Sequence, residues 1–318
     1  MAASQKDLQR INQAVVYVEE HLADIITVAK MAQQVNMSEF HFHRIFKSVT
    51  NEPFNQYLQR KRLEQSLFEL RSPKNNSIQQ IAFDCGFSSQ ANFAKAFGNY
   101  FGFTASTYRR NQTVDAKGTD VKNAKNSKDG KLSSKIGKHI QPQQLYHGNL
   151  STDDKTLIKQ QCLSIGIIDV DEAHYCYLAS TLGYSIEGIE QAWLQLKELL
   201  ASQDIPLFQK NRSIAFCQDN HFITPESQCR YEAGYKIDDP KQLIDHGIAV
   251  QTLAAGQYLS AMFKGKISEL RHPFYLWLFS EYVPDNNILL ASKTVVERYH
   301  EVDMKNDFIH LEILVKVY

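Results

Sequence analysis

The stretch MAQQVNMSEFHFHRIFKSVTNEPFNQY, residues 31–57, decides how the front of the chain folds. Its histidines, His41 and His43, invite a metal or catalytic reading. They stand two residues apart, which on a helix sets them ~200° apart around the axis, so they cannot chelate one ion together. The phenylalanines are more informative. Phe42, Ile45, Phe46 and Val49 are spaced i, i+3, i+4, i+7, the stripe of a helix with one buried face. The opposite face then carries Phe40, His43, Arg44 and Lys47, with Glu39 near its edge and His41 on the flank. Upstream, Val28 to Val35 reads as a short helix, Asn36-Met37 as a tight turn and Ser38 as an N-cap.

The same pattern returns in IAFDCGFSSQANFAKAFGNYFGFTASTY, from residue 81, after one extra residue in the turn. Phe93, Ala96, Phe97 and Tyr100 match the first stripe at an offset of 51, and Tyr108 matches Tyr57 at the same offset. Ile78 to Cys85 precedes Gly86-Phe87, with Ser88 or Ser89 as N-cap. Each copy therefore reads as helix, turn, helix. An outer helical face that offers a cation, a side-chain donor and an apolar group suits the edges of bases in a major groove. A solvated polar face on a helical bundle is the plain alternative, and the duplication weighs against it. Phe40 adds to that weight, because a large aromatic opposite a buried stripe is costly unless something covers it.

These residues, with SIQQIAFDCGFSSQANFAKAFGNYFGFTASTYRR at 77–110, resemble the AraC/XylS family of bacterial transcription regulators. The resemblance covers about residues 8–110. It implies an all-α domain whose two helix-turn-helix units enter successive major-groove segments of double-stranded DNA. Carried over position by position, it implies base contacts from Phe40, His43 and Arg44, with Lys47 on the same face, and from Gln90, Ala91, Asn92 and Lys95. Arg109 and Arg110 become phosphate contacts. Two departures stand out: Ala105 replaces the family's usual Pro, and Asn51 stands where the first copy often has Gly. Ala91, Ala94 and Gly98 leave the second outer face smaller than the first, so weaker base discrimination is expected there. Lys95 in place of Arg gives up bidentate contact with guanine.

Charge divides along the same line. Residues 1–148 hold 20 Lys and Arg against 12 Asp and Glu, a net +8, and residues 149–318 hold 15 against 23, a net −8. A basic front half suits a polyanionic partner. Residues 5–110 read as the DNA-binding domain. Residues 111–158, rich in Lys, Asn, Ser, Asp and Gly and poor in apolar side chains, read as a flexible basic linker. Residues 159–318 form the second domain.

That second domain reads as α+β. Eight β-type runs appear: CLSIGIIDV, HYCYLAS, RSIAFC, RYEAGYKI, IAVQTLAAG, QYLSAMFKG, TVVERY and FIHLEILVKV. Amphipathic helices are expected at about 185–201 and 267–281. A duplication runs through this half too. Tyr177-Leu178, Ile186, Ile189, Trp193 and Leu196 recur as Tyr258-Leu259, Ile267, Leu270, Phe274 and Trp277, at an offset of 81. The expectation is a pseudo-twofold antiparallel sheet with two helices and a groove between them. RYEAGYKI, GIAVQTLAAGQYLSAMFKG, FYLWLFSEYV and VERYHE resemble the gyrase-inhibitor-like effector-binding domain, with LGY in place of its usual GPY-like turn. That resemblance implies a small hydrophobic, often cationic, ligand held by a glutamate and aromatics. Strand alternation puts Glu297 on one face with Val295 and Tyr299. Glu297 is the candidate counter-charge, with Trp277, Tyr258 and Tyr299 as ring walls; Glu312 is a weaker candidate. An edge position for Glu297 and an ordinary core role for Trp277 are the plainer readings.

No Walker loop, GxGxxG, GxSxG or HExxH is present. Cys85, Cys162, Cys176, Cys217 and Cys229 have no CxxC or zinc spacing and read as reduced thiols. His221, His246, His272, His300 and His310 stand alone in the sequence and read as structural or exposed. No metal, cofactor or catalytic residue is expected. With no apolar run of membrane-span length and no signal-peptide layout, the chain reads as cytoplasmic. The expected function is ligand-responsive transcription regulation, with RNA polymerase as a further candidate partner. The rivals are a back domain that binds protein, or one that hydrolyses a small molecule through Glu297 and Tyr299.

Overall fold

A computed structural model describes residues 5–71, 76–115, 150–202, 212–245 and 248–318. The chain divides into a helical unit at the front and a sheet-bearing unit from Gly148 to Tyr318. No described helix is long and apolar enough to cross a membrane.

The helical unit contains α1 (Gln5–Glu20), α2 (Val28–Gln34), α3 (Glu39–Thr50), α4 (Phe54–Arg71), α5 (Ile78–Asp84), α6 (Gln90–Phe101) and α7 (Ala105–Asp115). The pairs α2–α3 and α5–α6 are the two expected helix-turn-helix copies. Their matched positions share one burial pattern: Met31, Ala32 and Val35 in the first and Ile81, Ala82 and Cys85 in the second are all inaccessible. Phe42 and Phe46 are buried in α3, as are Phe93 and Phe97 in α6. Val49, Ala96 and Tyr100 are only half-buried. In the second copy Phe101 is also buried, its ring 4.6 Å from that of Phe97.

Both turns pass through positive φ, at Asn36 (52°) and Gly86 (79°). Asparagine tolerates that region at modest cost, whereas Gly86 has a second requirement. A Cβ there would lie 2.1 Å from the Leu22 carbonyl oxygen. Arg62 of α4 closes the same corner. Its Nε donates to that oxygen at 2.9 Å and its Nη2 to the Asp24 carbonyl at 2.7 Å. The helix ends repeat the logic: α3 is followed by Asn51 at φ 59° and α6 by Gly102 at φ 80°, so asparagine does in the first copy what glycine does in the second. The N-cap of α6 is Ser89, which accepts from the Asn92 N–H, while Ser38 of α3 accepts from the His41 N–H.

Helix α4, between the two copies, carries buried charge. Arg60 donates to Glu52 at 2.6 and 2.9 Å and to Glu64 at 2.9 Å, and Lys61 lies 2.8 Å from Glu19. Tyr57 donates to Glu19 at 3.0 Å, with Arg60 and Lys61 both over its ring.

In the sheet unit α8 (Thr152–Gln161) leads into β1 (Cys162–Val170) and β2 (Ala173–Ala179). Then come α9 (Ile186–Ala201), β3 (Ser213–Cys217), β4 (Tyr231–Ile237), α10 (Pro240–Asp245), β5 (Val250–Leu253), β6 (Gly256–Gly265), β7 (Val295–Asp303) and β8 (Phe308–Lys316). All eight expected β runs form strands of one antiparallel sheet, ordered β1-β6-β8-β7-β3-β4-β2-β5. Exchanging the halves (β1 with β5, β2 with β6, β3 with β7, β4 with β8) returns this order reversed, which is the signature of a twofold relation. The axis falls between β3 and β7, where Ala215 faces Glu297. Each half's first strand joins the other half's edge, an exchange the sequence did not announce.

Two expectations need correction. The linker expected over 111–158 is narrower, because α7 continues to Asp115 and α8 occupies Thr152–Gln161, held by a Ser151–Asp154 capping box. Its remaining residues, 116–149, lie outside the described residues. The second helix, expected over 267–281, runs over 267–285 and is broken at His272 (φ −140°, ψ 121°). Pro273 is the cause, since the residue before proline is pushed from helical to extended backbone.

Gly86→Ala is expected to lose more than about 2 kcal/mol of stability, because a Cβ meets a carbonyl oxygen and the φ is strained at once. Thermal unfolding of the full chain measures it; a variant as stable as the parent would contradict this account of the turn.

Candidate functional site

Two places gather chemistry. The first is the outer faces of α3 and α6. With Phe42 and Phe46 turned inward, Phe40 is 81% exposed, and His43, Arg44 and Lys47 are exposed beside it. Arg44 Nη2 lies 3.3 Å from His41 Nδ1, so the flanking histidine touches the arginine rather than pairing with His43. On α6, Gln90, Ala91, Asn92 and Lys95 are all exposed. Asn92 is partly committed, since its Nδ2 donates to Ser88 Oγ at 2.8 Å. Arg109 is half-buried and Arg110 exposed on α7.

The second place is the seam between the two halves of the sheet. Alternation along β7 sends Val296 to one side and Val295, Glu297 and Tyr299 to the helix-bearing side. Glu297 is 7% exposed. Tyr275 donates to its Oε1 at 2.6 Å, and Tyr299 donates to its Oε2. The chain continues outward: the Tyr299 and Tyr231 hydroxyls are 2.9 Å apart, and Trp193 Nε1 donates to the Tyr231 hydroxyl at 2.8 Å. Trp193 also stands edge-on to the Tyr299 ring at 5.6 Å. The residues come from both halves: Trp193 from α9, Tyr231 from β4, Tyr275 from the broken helix, and Glu297 and Tyr299 from β7.

Burial, and then the charge of Glu297, push the hydroxyls of Tyr231, Tyr275 and Tyr299 well above the usual tyrosine range. All three stay protonated donors at any physiological pH. Among the described residues no Lys, Arg or His forms an ion pair with Glu297. Two phenols thus satisfy the buried Glu297 carboxyl in place of a cation, with aromatic rings around it. Beside the seam, Arg271 donates to the Tyr184 carbonyl at 2.7 Å, pairs with Glu226 at 3.0 Å and lies over the Tyr184 ring.

Of the four residues expected here, the structure brings together Glu297 and Tyr299. Tyr258 is placed elsewhere. It packs with Tyr175, Phe216 and Leu314 on the opposite face of the sheet and donates to the Ala254 carbonyl. Alternation is the reason, because its neighbour Leu259 takes the helix-bearing side. Trp277 stands against Phe274 and Tyr282, in the core of its own half, and the indole at the seam is Trp193. Glu312 also lies on the opposite face, bound to Ser260 and Arg298. The sequence did not point to Tyr231, Tyr275 or His221. The last packs 6.0 Å from the Tyr275 ring, with its Nε2 buried and without a hydrogen-bond partner among the described residues. Among those residues no group of three or more His, Cys, Asp or Glu could hold a metal ion.

Residues 31–111 match a family model described as a helix-turn-helix domain, and residues 164–317 match one described as a GyrI-like small molecule binding domain. The chain is 32% identical over 111 residues to the probable transcriptional regulator LumQ of Photobacterium leiognathi, covering 34% of this chain and 44% of LumQ. It is 30% identical over 103 residues to the HTH-type transcriptional activator AarP of Providencia stuartii, covering 32% of this chain and 76% of AarP. The chain thus spans under half of LumQ and about three quarters of AarP. A crystal structure of the EcmrR C-terminal domain matches 49% of this chain and 97% of its own, at 16% identity and a TM-score of 0.38.

Burial lowers the His221 imidazole from its usual 6.5 to about 4, and Arg271 adds to the shift. A depressed histidine contributes stability that is complete above pH 6.5 and is lost as pH falls toward 4. His221→Asn is therefore expected to flatten the acid limb of the stability–pH curve over that window. Melting temperatures of parent and variant from pH 7 to 4 test it, and parallel curves would refute it.

Proposed function

This chain belongs to the AraC family of helix-turn-helix transcription regulators, and from that membership we propose that it binds specific double-stranded DNA and answers to a small molecule held by its second domain. The observation that carries the DNA reading is the duplicated unit: two copies with one burial pattern, each turning an exposed, charge-bearing helix face outward. Phe40, His43, Arg44 and Lys47 of α3 read base edges in one major-groove segment. Gln90, Asn92 and Lys95 of α6 engage a second segment about one turn, ~10 bp, away. The commitment of Asn92 to Ser88, together with Ala91 and Ala94, gives the second segment less direct readout. Arg109 and Arg110 meet phosphate, and the protein works in the cytoplasm. RNA polymerase is the candidate partner through which promoter occupancy becomes transcription.

The ligand reading rests on Glu297, a buried carboxyl ringed by Tyr231, Tyr275, Tyr299 and Trp193, with no ion pair to a Lys, Arg or His among the described residues. A small hydrophobic cation of diffuse charge suits such a place, because aromatic faces offset its desolvation while the carboxylate supplies the counter-charge. Hydrolysis is the weaker reading. Each Glu297 oxygen already accepts a phenolic hydroxyl and so is engaged by the protein rather than left open to a water.

Arg44→Ala is expected to cost about 1–3 kcal/mol on the best DNA site and to relax preference at one base pair. Arg109→Ala should weaken all sequences alike and lower the salt slope by about 1. Binding curves across salt concentrations separate the two, and an Arg44→Ala variant with parent affinity would sink the face assignment. Lipophilic cations are expected to raise the melting temperature of the full chain, and neutral analogues not to; Glu297→Gln should abolish the rise. A rise that survives Glu297→Gln, or none with any cation, counts against the ligand reading.

A further inference from the structure

The sheet has two edges, and the twofold relation makes them equivalent: β1 at one end, β5 at the other. They are not protected alike. β5 is four residues long and follows α10, whose Leu243 packs with Ile248 in the core of the first half. β1 is nine residues long, CLSIGIIDV, with no proline and no charge until Asp169. Leu163 is 55% exposed, Ile167 53% and Ile168 37%. Edge strands are ordinarily guarded by shortness, by a charge, by a proline or by a covering element. β1 is neither short nor broken by proline, and its charge, Asp169, and its bulge between Cys162 and Ser164 lie toward its ends, away from the central residues 165–168.

We propose that β1 is a self-association surface, on which a second copy of this chain pairs its own β1 antiparallel around a twofold axis at Gly166. Three features select this occupant. First, Gly166 is the middle residue of β1 and carries no side chain, so two copies of the strand can meet there about a symmetry axis. Second, with Gly166 opposite itself, Ile165 of each copy faces Ile167 of the other, and both lie on the helix-bearing side. Ile165 already packs against the core of the second half, so the exposed Ile167 of the second copy extends that core across the axis. Third, the charges around the strand are self-complementary. The exposed Asp169, Asp171 and Glu172 end the strand, and the exposed Lys159 lies in the last turn of α8, just before it begins. Antiparallel pairing brings each acidic end to the other copy's basic end, twice by symmetry, whereas parallel pairing would set acid against acid.

Site-directed cross-linking of the full chain tests the register. In a Cys162→Ser background, G166C is expected to form a covalent dimer under mild oxidation, since the new thiols sit opposite each other. I168C alone is expected not to, since it faces Ser164, while the S164C/I168C double variant is expected to cross-link. Sedimentation equilibrium of the unmodified chain should show a monomer–dimer equilibrium, and Ile167→Lys should weaken it at least about tenfold. A chain that stays monomeric overturns the proposal, including the case where the edge receives a strand of some other protein. Equal cross-linking by G166C and I168C overturns the register and with it the proposal.

Discussion

The pairing of β3 with β7 is the central junction of the sheet. Four ladder positions, from Ile214↔Arg298 to Cys217↔Val295, bring two β-β-α-β-β halves together there. Everything at the seam follows from that junction. Because β7 lies beside β3, the carboxylate of Glu297 is within reach of a tyrosine from β4 and an indole from α9, although these belong to the other half. The junction sets a buried carboxyl among aromatic side chains drawn from both halves.

The helical unit depends on a different kind of constraint. Its two helix-turn-helix copies are joined by α4, which buries Phe54, Leu58, Leu63, Leu67 and Leu70 and adds buried ions to that apolar packing. Arg60 is shared by Glu52 and Glu64, Lys61 is held by Glu19, and Tyr57 lies under both cations. Such pairs contribute little net stability against an apolar substitute, but losing one partner strands a buried charge at a cost of several kcal/mol. They therefore fix geometry more than they add stability. For the DNA binding proposed above, in which two helices meet successive groove segments, geometry is the quantity that matters. Arg62, one residue further along α4, ties the helix to the Gly86 corner of the second unit through the Leu22 carbonyl.

Much of this was legible in the sequence where the relevant interactions are local. The i, i+3, i+4, i+7 spacing of Phe42, Ile45, Phe46 and Val49 fixes which side of α3 is core, and so turns Phe40, His43, Arg44 and Lys47 outward. Period-two alternation fixed Glu297 and Tyr299 on one face, and that held. The same alternation was ambiguous for Tyr258, because it stands beside Leu259 and either could face the helices; the sheet chose the leucine. Trp277 is expected as a ring wall, yet it packs with Phe274 and Tyr282 against the core of its own half.

The sequence by itself determined the elements, their buried faces, the two internal duplications and the charge division between front and back. Each of these depends on residues a few positions apart, where helical or strand periodicity leaves a direct trace. The tertiary structure alone decided which strands become neighbours. It exchanged the edge strands between the halves, placed the twofold axis between β3 and β7, drew Trp193, Tyr231 and Tyr275 to Glu297, and left β1 at an open edge. Hydrogen bonding between strands joins residues tens of positions apart through backbone groups that every residue shares, so the choice of neighbour leaves no mark in the local pattern.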